Sequence, residues 1–230
     1  MNGKNKEVEF QFPDFDKKKI IKAIKLNGGE LVHPRMLYRA IYYFSPNKDI
    51  LYRIRQENDG ITLTKKVMLQ FPPDEYEIKI SEGSDFETIH HFLISLIPDF
   101  QKYKKIETEK IREKWSLKPC HEIVFDIWPG LDEYMEVDCA QESHLKKVIK
   151  KLGLSMETKY YTTGHNQYYH ERYGIDKKTL LDNMKFIFSD FSKSIQDLIK
   201  GKTQEEILEM KKLLRKKQKE QKEYATKIPK

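Results

Sequence analysis

Glu7-Val8-Glu9-Phe10-Gln11-Phe12 alternates polar with apolar side chains, and this alternation decides the fold. In an extended strand, residues i and i+2 point to the same side. Glu7 and Glu9 therefore share one face, with Val8 and Phe10 on the other. Tyr134-Met135-Glu136-Val137-Asp138 repeats the pattern far along the chain, with Glu136 and Asp138 on one face and Met135 and Val137 behind them. Two strands that each pair carboxylates on one face suggest a polar interior able to hold a metal ion, not an ordinary outer surface.

Basic strands lie between the two acidic ones. Tyr52-Arg53-Ile54-Arg55 puts two arginines on one face, and Ile61 to Val67 puts Thr62, Thr64 and Lys66 on one side. Lys110-Ile111-Arg112 and Glu122-Ile123-Val124-Phe125-Asp126-Ile127 follow the same logic. Arginine offers phosphate oxygens a planar fork, and lysine offers a point charge. Carboxylates hold Mg²⁺ or Mn²⁺ together with waters and phosphate oxygens. The combination fits a site for a metal-bound polyphosphate.

Turn and helix signals fill in the rest. Asp16 reads as the N-cap of a helix through Ile20, Ile21 and Ile24, stopped by Asn27-Gly28-Gly29. Leu37 to Phe44 reads as a strand, and Asn58-Asp59-Gly60 as the turn of a hairpin. Met68 to Phe71 and Glu75 to Ile80 read as further strand segments. Phe86 to Ile97 has helical spacing, and Pro98 ends it. Helices are also expected over Glu142 to Leu152 and Lys177 to Leu198. Residues 155 to 170, rich in Tyr, Thr, His and Asn, read as loop, either an ordinary one or a lid over the site carrying His165 and His170. His90-His91 reads as surface or packing, and Tyr42-Tyr43 and Trp115 as packing.

The chain has 230 residues, a net charge of +7 and 34% charged residues. That length suits one large domain with an appendage: a body over 1–200 and a basic helical tail over 201–230. Much of the excess charge sits from Lys211 to Lys230, so the overall charge is a weak argument for nucleic acid. The tail reads as a solvated helix, with RNA or an acidic partner as the alternative. No apolar run is long enough to span a membrane. Cys120 and Cys139 fit neither zinc spacing nor a disulfide framework, and read as two thiols in a reduced, cytoplasmic setting. A Walker-type glycine loop is absent from the sequence.

Many strands and few helices predict an α+β fold, a closed antiparallel β-barrel of about eight strands with flanking helices. In their joint order the strands resemble the CYTH family, the triphosphate tunnel metalloenzymes. That family opens on Glu-x-Glu-x-Lys, matched by Glu7, Glu9 and Gln11. It continues with Arg-x-Arg (Arg53, Arg55), a strand ending in Lys (Lys66) and Lys-x-Arg (Lys110, Arg112). An acid on the next strand (Asp126) and a closing Glu-x-Glu (Glu136, Asp138) complete it. The turn Trp128-Pro129-Gly130-Leu131 and Tyr173-Gly174-Ile175-Asp176 are similar to a bacterial and viral subgroup. The resemblance covers roughly residues 6 to 190. Gln11 departs from the family lysine, and Asp138 from a glutamate.

The resemblance implies a hydrolase of inorganic or organic triphosphates that depends on Mg²⁺ or Mn²⁺. Glu7, Glu9, Glu136 and Asp138 would hold metal, and Arg53, Arg55, Lys66, Lys110 and Arg112 would grip phosphate, with Gln11 beside them. Glu122 or Asp126 would orient, or take a proton from, the attacking water. The alternatives are a class IV-type adenylyl cyclase acting on ATP and a non-catalytic nucleotide or polyphosphate binder. An RNA 5′ end is a further candidate substrate, and the chain is expected as a monomer or homodimer.

Overall fold

The computed structural model describes residues 8–57, 60–69, 74–80, 83, 85–155, 157–162, 164–182, 185–201 and 203–228. Glu7, Asn58, Asp59, Gln70 and Phe71 lie outside them. The order of elements is β1 (Val8–Phe12), α1 (Lys17–Leu26), β2 (Glu30–Phe44), β3 (Ile50–Glu57), β4 (Gly60–Val67), β5 (Asp74–Ile80), α2 (Phe86–Ser95) and β6 (Lys104–Ser116). Then come β7 (Glu122–Ile127), β8 (Tyr134–Cys139), α3 (Glu142–Lys151), α4 (Asn166–Tyr173), α5 (Lys177–Asp182), β9 (Lys185–Phe186), α6 (Phe191–Gln196) and α7 (Gln204–Ala225).

Eight strands form one antiparallel sheet in the spatial order β1-β8-β7-β6-β2-β3-β4-β5, and β9 adds a short parallel pair to β6. One face of this sheet is apolar and carries helices. Phe10, Phe12, Phe125, Met135 and Val137 pack with Ile20 and Ile24 of α1 and Leu145 and Val148 of α3. Farther along the same face, Ile41, Ile54, Ile61 and Leu63 pack with Phe86 and Leu93 of α2. Gln11, Thr64 and Asp126 point to the other face, which those helices do not cover, yet all three are buried. The sheet therefore curls around its own polar face. Among the described residues no hydrogen-bonded pair joins β1 to β5, so the barrel is not closed through its backbone. Part of the free β1 edge is taken by Tyr161, which exchanges backbone hydrogen bonds of 2.9 and 2.8 Å with Gln11.

Local chemistry explains the elements that the sequence predicts. Asp16 caps α1 by accepting from the Lys19 amide at 3.2 Å. Asp85 does the same for α2 through the Thr88 amide at 2.7 Å. α7 opens with a capping box between Thr203 and Glu206.

Four expectations are corrected. The segment 155–170, expected as loop, contains most of α4. The helix expected from Lys177 to Leu198 is broken into α5, β9 and α6. Phe186 and Phe188 are both buried at strand spacing, and the Phe188 amide donates to Glu109 on β6 at 2.8 Å. Pairing with β6 there outweighs local helix propensity. Cys120 and Cys139 are joined as a disulfide, not held as two thiols. The turn before β7 folds back on the end of β8, where the His121 amide bonds the Asp138 carbonyl at 2.8 Å. Strand adjacency, invisible in the spacing of 19 residues, makes the pair. The thiol ground for a reduced setting is thereby removed. Of the strand segment expected over Met68 to Phe71, Met68 and Leu69 lie beyond the end of β4.

α7 is packed on the body of the protein. Leu214 is fully buried among Trp128, Phe191 and Ile195. Gln221 locks the turn after β7: its side chain accepts from the Gly130 amide at 2.7 Å and donates to the Leu131 carbonyl at 2.8 Å. Gly130 has φ +82°, and a Cβ there would run into the Phe191 ring. Gly130→Ala is therefore expected to destabilise by about 2–3 kcal/mol, from left-handed strain plus overpacking. Gly153→Ala, with φ +74° and open space around the Cβ, should lose only about 1 kcal/mol. Denaturant unfolding of both variants checks the difference. Among the described residues no helix is long and apolar enough to cross a membrane.

Candidate active site

Residues directly opposite one another on paired strands share a face, so the register alone assembles the site. Glu9 lies opposite Asp138, and Asp138 opposite Glu122. Gln11 lies opposite Glu136, and Asp126 opposite Arg112. Lys110 lies opposite Tyr38, Arg55 opposite Ala40 and Thr62, and Arg53 opposite Thr64. Lys66 lies opposite Glu75. The described candidate residues thus sit on the single polar face around which the sheet curls.

They divide into two zones. In the acidic zone the Gln11 amide donates to Glu136 at 3.1 Å and also to Glu9. Arg112 forms the centre: its Nε and Nη2 reach the two Asp126 oxygens at 2.7 and 2.6 Å. Its remaining contacts are Glu122 at 3.2 Å and Glu136 at 3.4 Å. Lys110 donates to Asp126 at 3.0 Å, and Lys114 pairs with Glu122. In the basic zone a cavity of about 80 Å³ is lined by Arg53, Arg55, Lys110, Tyr38, Tyr42, Thr108 and Trp128. The Arg55 Nε is buried without a hydrogen-bond partner. Arg53 bonds Thr64 at 2.9 Å and Glu77 at 3.1 Å. Lys66 pairs with Glu75 at 2.7 Å and does not line this cavity.

The electrostatics separate the acids. Burial, then the neighbouring Glu9 carboxylate, pushes the Glu136 pKa up to about 8. Burial also raises Glu9, against the hydrogen bond from Gln11. Burial acts to raise Asp126 as well, but the Arg112 and Lys110 charges overcome it and bring its pKa down to about 2. Glu122 is likewise held low by Arg112 and Lys114 against burial. Burial, then the Arg112 charge, lowers Lys110.

The residues present fit a hard divalent cation. Glu9, Glu136 and Asp138 offer carboxylate oxygens, the donors that suit Mg²⁺ and Mn²⁺. Like charges meeting in a buried place call for a cation, and the orphaned Gln11 Oε1 adds a neutral oxygen beside them.

Several cavity and rim residues carry no motif. Tyr38 and Tyr42 flank Ala40 at strand spacing, a parity signal present in the sequence. Tyr134, on the polar face of β8, stacks on Tyr168 with ring centroids 4.5 Å apart. Trp128 stacks on His165 at 3.9 Å, and burial pushes His165 down to about 3, so it stays neutral. The segment around α4 therefore rests against both zones: Tyr168 meets Tyr134 on the acidic strand β8, and His165 meets Trp128 of the basic cavity.

No protein-family model and no curated protein sequence matches the chain. Among solved structures it is similar to a proposed adenylate cyclase from Vibrio parahaemolyticus, at 14% identity and a TM-score of 0.51, over 69% of this chain and 94% of that one. Looser likenesses include an inorganic triphosphatase at 21% identity and TM-score 0.35, over 69% of this chain and 86% of that one. Another is the RNA triphosphatase domain of a mimivirus mRNA capping enzyme, at 12% identity and TM-score 0.39, over 66% and 91%. At such identities only a shared fold follows, and only the first alignment is close enough to carry it. What is shared is the antiparallel sheet with flanking helices that the sequence predicts.

Proposed function

We propose that this chain is a divalent-metal-dependent triphosphatase that binds its substrate in the curled sheet. One observation carries the reading: Arg53, Arg55 and Lys110 line one cavity while Glu9, Glu136 and Asp138 converge on the strands beside it. The unsatisfied Arg55 Nε and the Lys110 ammonium are placed to bind phosphate oxygens and to offset charge in the transition state. Arg112 holds Asp126, Glu122 and Glu136 in fixed relation. Both Asp126 oxygens are taken by Arg112 and Lys110, so Asp126 positions those cations. Glu122 is likewise held, by Arg112 and Lys114. It is less buried than Asp126, however, and lies opposite Asp138, which makes it the better candidate to orient the attacking water. A divalent cation held by Glu9, Glu136 and Asp138 would neutralise phosphate charge.

The test is product analysis with tripolyphosphate, nucleoside triphosphates and 5′-triphosphorylated RNA, in Mg²⁺ or Mn²⁺. Released phosphate, falling roughly a hundredfold in Lys110→Met, is the expected result. Cyclic nucleotide with pyrophosphate would assign a cyclase instead. Tight binding without turnover would assign a binder, the reading that Gln11 favours because it removes a positive charge from the tunnel. Gln11→Lys should then raise activity.

A further inference from the structure

Outside the tunnel, on the helix-covered face of the sheet, α2 brings three potential ligands together. A Glu87 oxygen and one ring nitrogen each from His90 and His91 all lie within 4.8 Å of one another. Spacings of three and four residues put Glu87 beside each histidine on the helix, with the adjacent His90 and His91 on either side of it. We propose that Glu87, His90 and His91 bind a divalent transition metal of the Zn²⁺, Co²⁺ or Ni²⁺ type, at a site separate from the tunnel.

His90 anchors the site. Its side chain is only 9% exposed, and its Nε2 is fixed at 2.7 Å from the Tyr43 hydroxyl on β2. With Nε2 donating to that hydroxyl, Nδ1 carries the free lone pair. Nδ1 is buried and has no hydrogen-bond partner. It stands 3.7 Å from Glu87 Oε2, too far for a hydrogen bond. Two ligands on one tetrahedral ion, each about 2.0–2.1 Å from it, sit about 3.4 Å apart. A small rotamer shift of Glu87 and His91, both exposed, is enough to close the set.

The surroundings support the ligands. Arg39 holds the other Glu87 oxygen, Oε1, at 2.8 Å, which orients the carboxylate and leaves Oε2 free. Tyr43 does the same for His90; partners of this kind fix ligand geometry at metal centres. The positive charges of Arg39 and of nearby Lys105 oppose a cation, so the expected affinity is micromolar, not nanomolar. Two imidazoles and one carboxylate select a borderline metal over Mg²⁺.

The experiment titrates the full-length protein with Co²⁺, followed by its visible absorption, in millimolar Mg²⁺ to occupy hard-oxygen sites. One equivalent is expected to bind. His91→Ala and Glu87→Gln, both at exposed positions, should each weaken it roughly tenfold or more, while Glu136→Gln in the tunnel leaves it unchanged. Zn²⁺ should displace the Co²⁺. No binding below millimolar Co²⁺, or binding that ignores both α2 variants, would overturn the site.

Discussion

Arg112→Met is expected to destabilise the protein by about 3–5 kcal/mol, because it strands a buried carboxylate. Asp126 has a side chain only 1% exposed, and two of its hydrogen bonds come from Arg112. Lys110 remains as a partner at 3.0 Å, so the loss should fall toward the lower end of that range. The double variant Arg112→Met with Asp126→Leu removes both charges of the pair and should regain part of the loss, since apolar replacements of a buried pair are often near neutral. It should not regain all of it, because Lys110 then loses its Asp126 partner. Activity should be absent from both, which separates the stability of the ion pair from its positioning of Lys110 and Glu122. Denaturant unfolding reads the first result; a single variant within about 1 kcal/mol of the parent would mean that the Arg112–Asp126 pair holds nothing together. The same pair sets an acid limit. Asp126 is lowered from 3.8 to about 2, so its stabilisation is complete above 3.8 and is lost as pH falls through about 2.

The polar face was legible because strand parity needs no tertiary information. Once Glu9, Arg55, Asp126 and Glu136 are each placed on the polar side of an alternating strand, a curled sheet brings them together. Lys65 and Lys66 show how far parity reaches: Lys66 falls in line with Thr62 and Thr64 on the polar face, and Lys65 falls outside it. What stayed hidden depended on neighbours distant in sequence. The Cys120–Cys139 bond follows from the way the turn before β7 meets the end of β8. The break between α5 and α6 follows from a short pairing with β6 that local propensity does not encode. The Gln221 lock on the Trp128 turn joins elements roughly ninety residues apart, and the charge-rich tail around it masks the signal. His90 was legible as packing, but its partner Tyr43 becomes visible only when α2 lies across β2.

In a chelating buffer the protein should become less stable as pH rises from 4.5 to 8. Glu136 is the cause: its pKa is 4.5 as an ordinary glutamate and about 8 in the fold. A group raised in the folded state stabilises fully below its unfolded value, and that stabilisation is lost as pH passes through the folded value. At about 1.4 kcal/mol per unit the span corresponds to an upper bound on the order of 4–5 kcal/mol, shared with Glu9, which burial also raises. For a chain of this size the melting temperature should fall by roughly 10 °C. This window is distinct from that of Asp126, which acts only in acid. Adding Mn²⁺ or Mg²⁺ at pH 8 should restore the lost stability, because a cation can replace the proton between the two carboxylates. Glu136→Gln keeps the shape without the charge, so it should flatten the slope and abolish the metal response together. Gln11→Lys should also flatten the slope, by setting an ammonium where the amide now contacts Glu9 and Glu136, but it removes no carboxylate and should keep the metal response. A parent protein whose melting temperature rises across this range, or a Glu136→Gln variant that keeps the parent's slope, would show that the buried carboxylates do not share a proton or a metal ion.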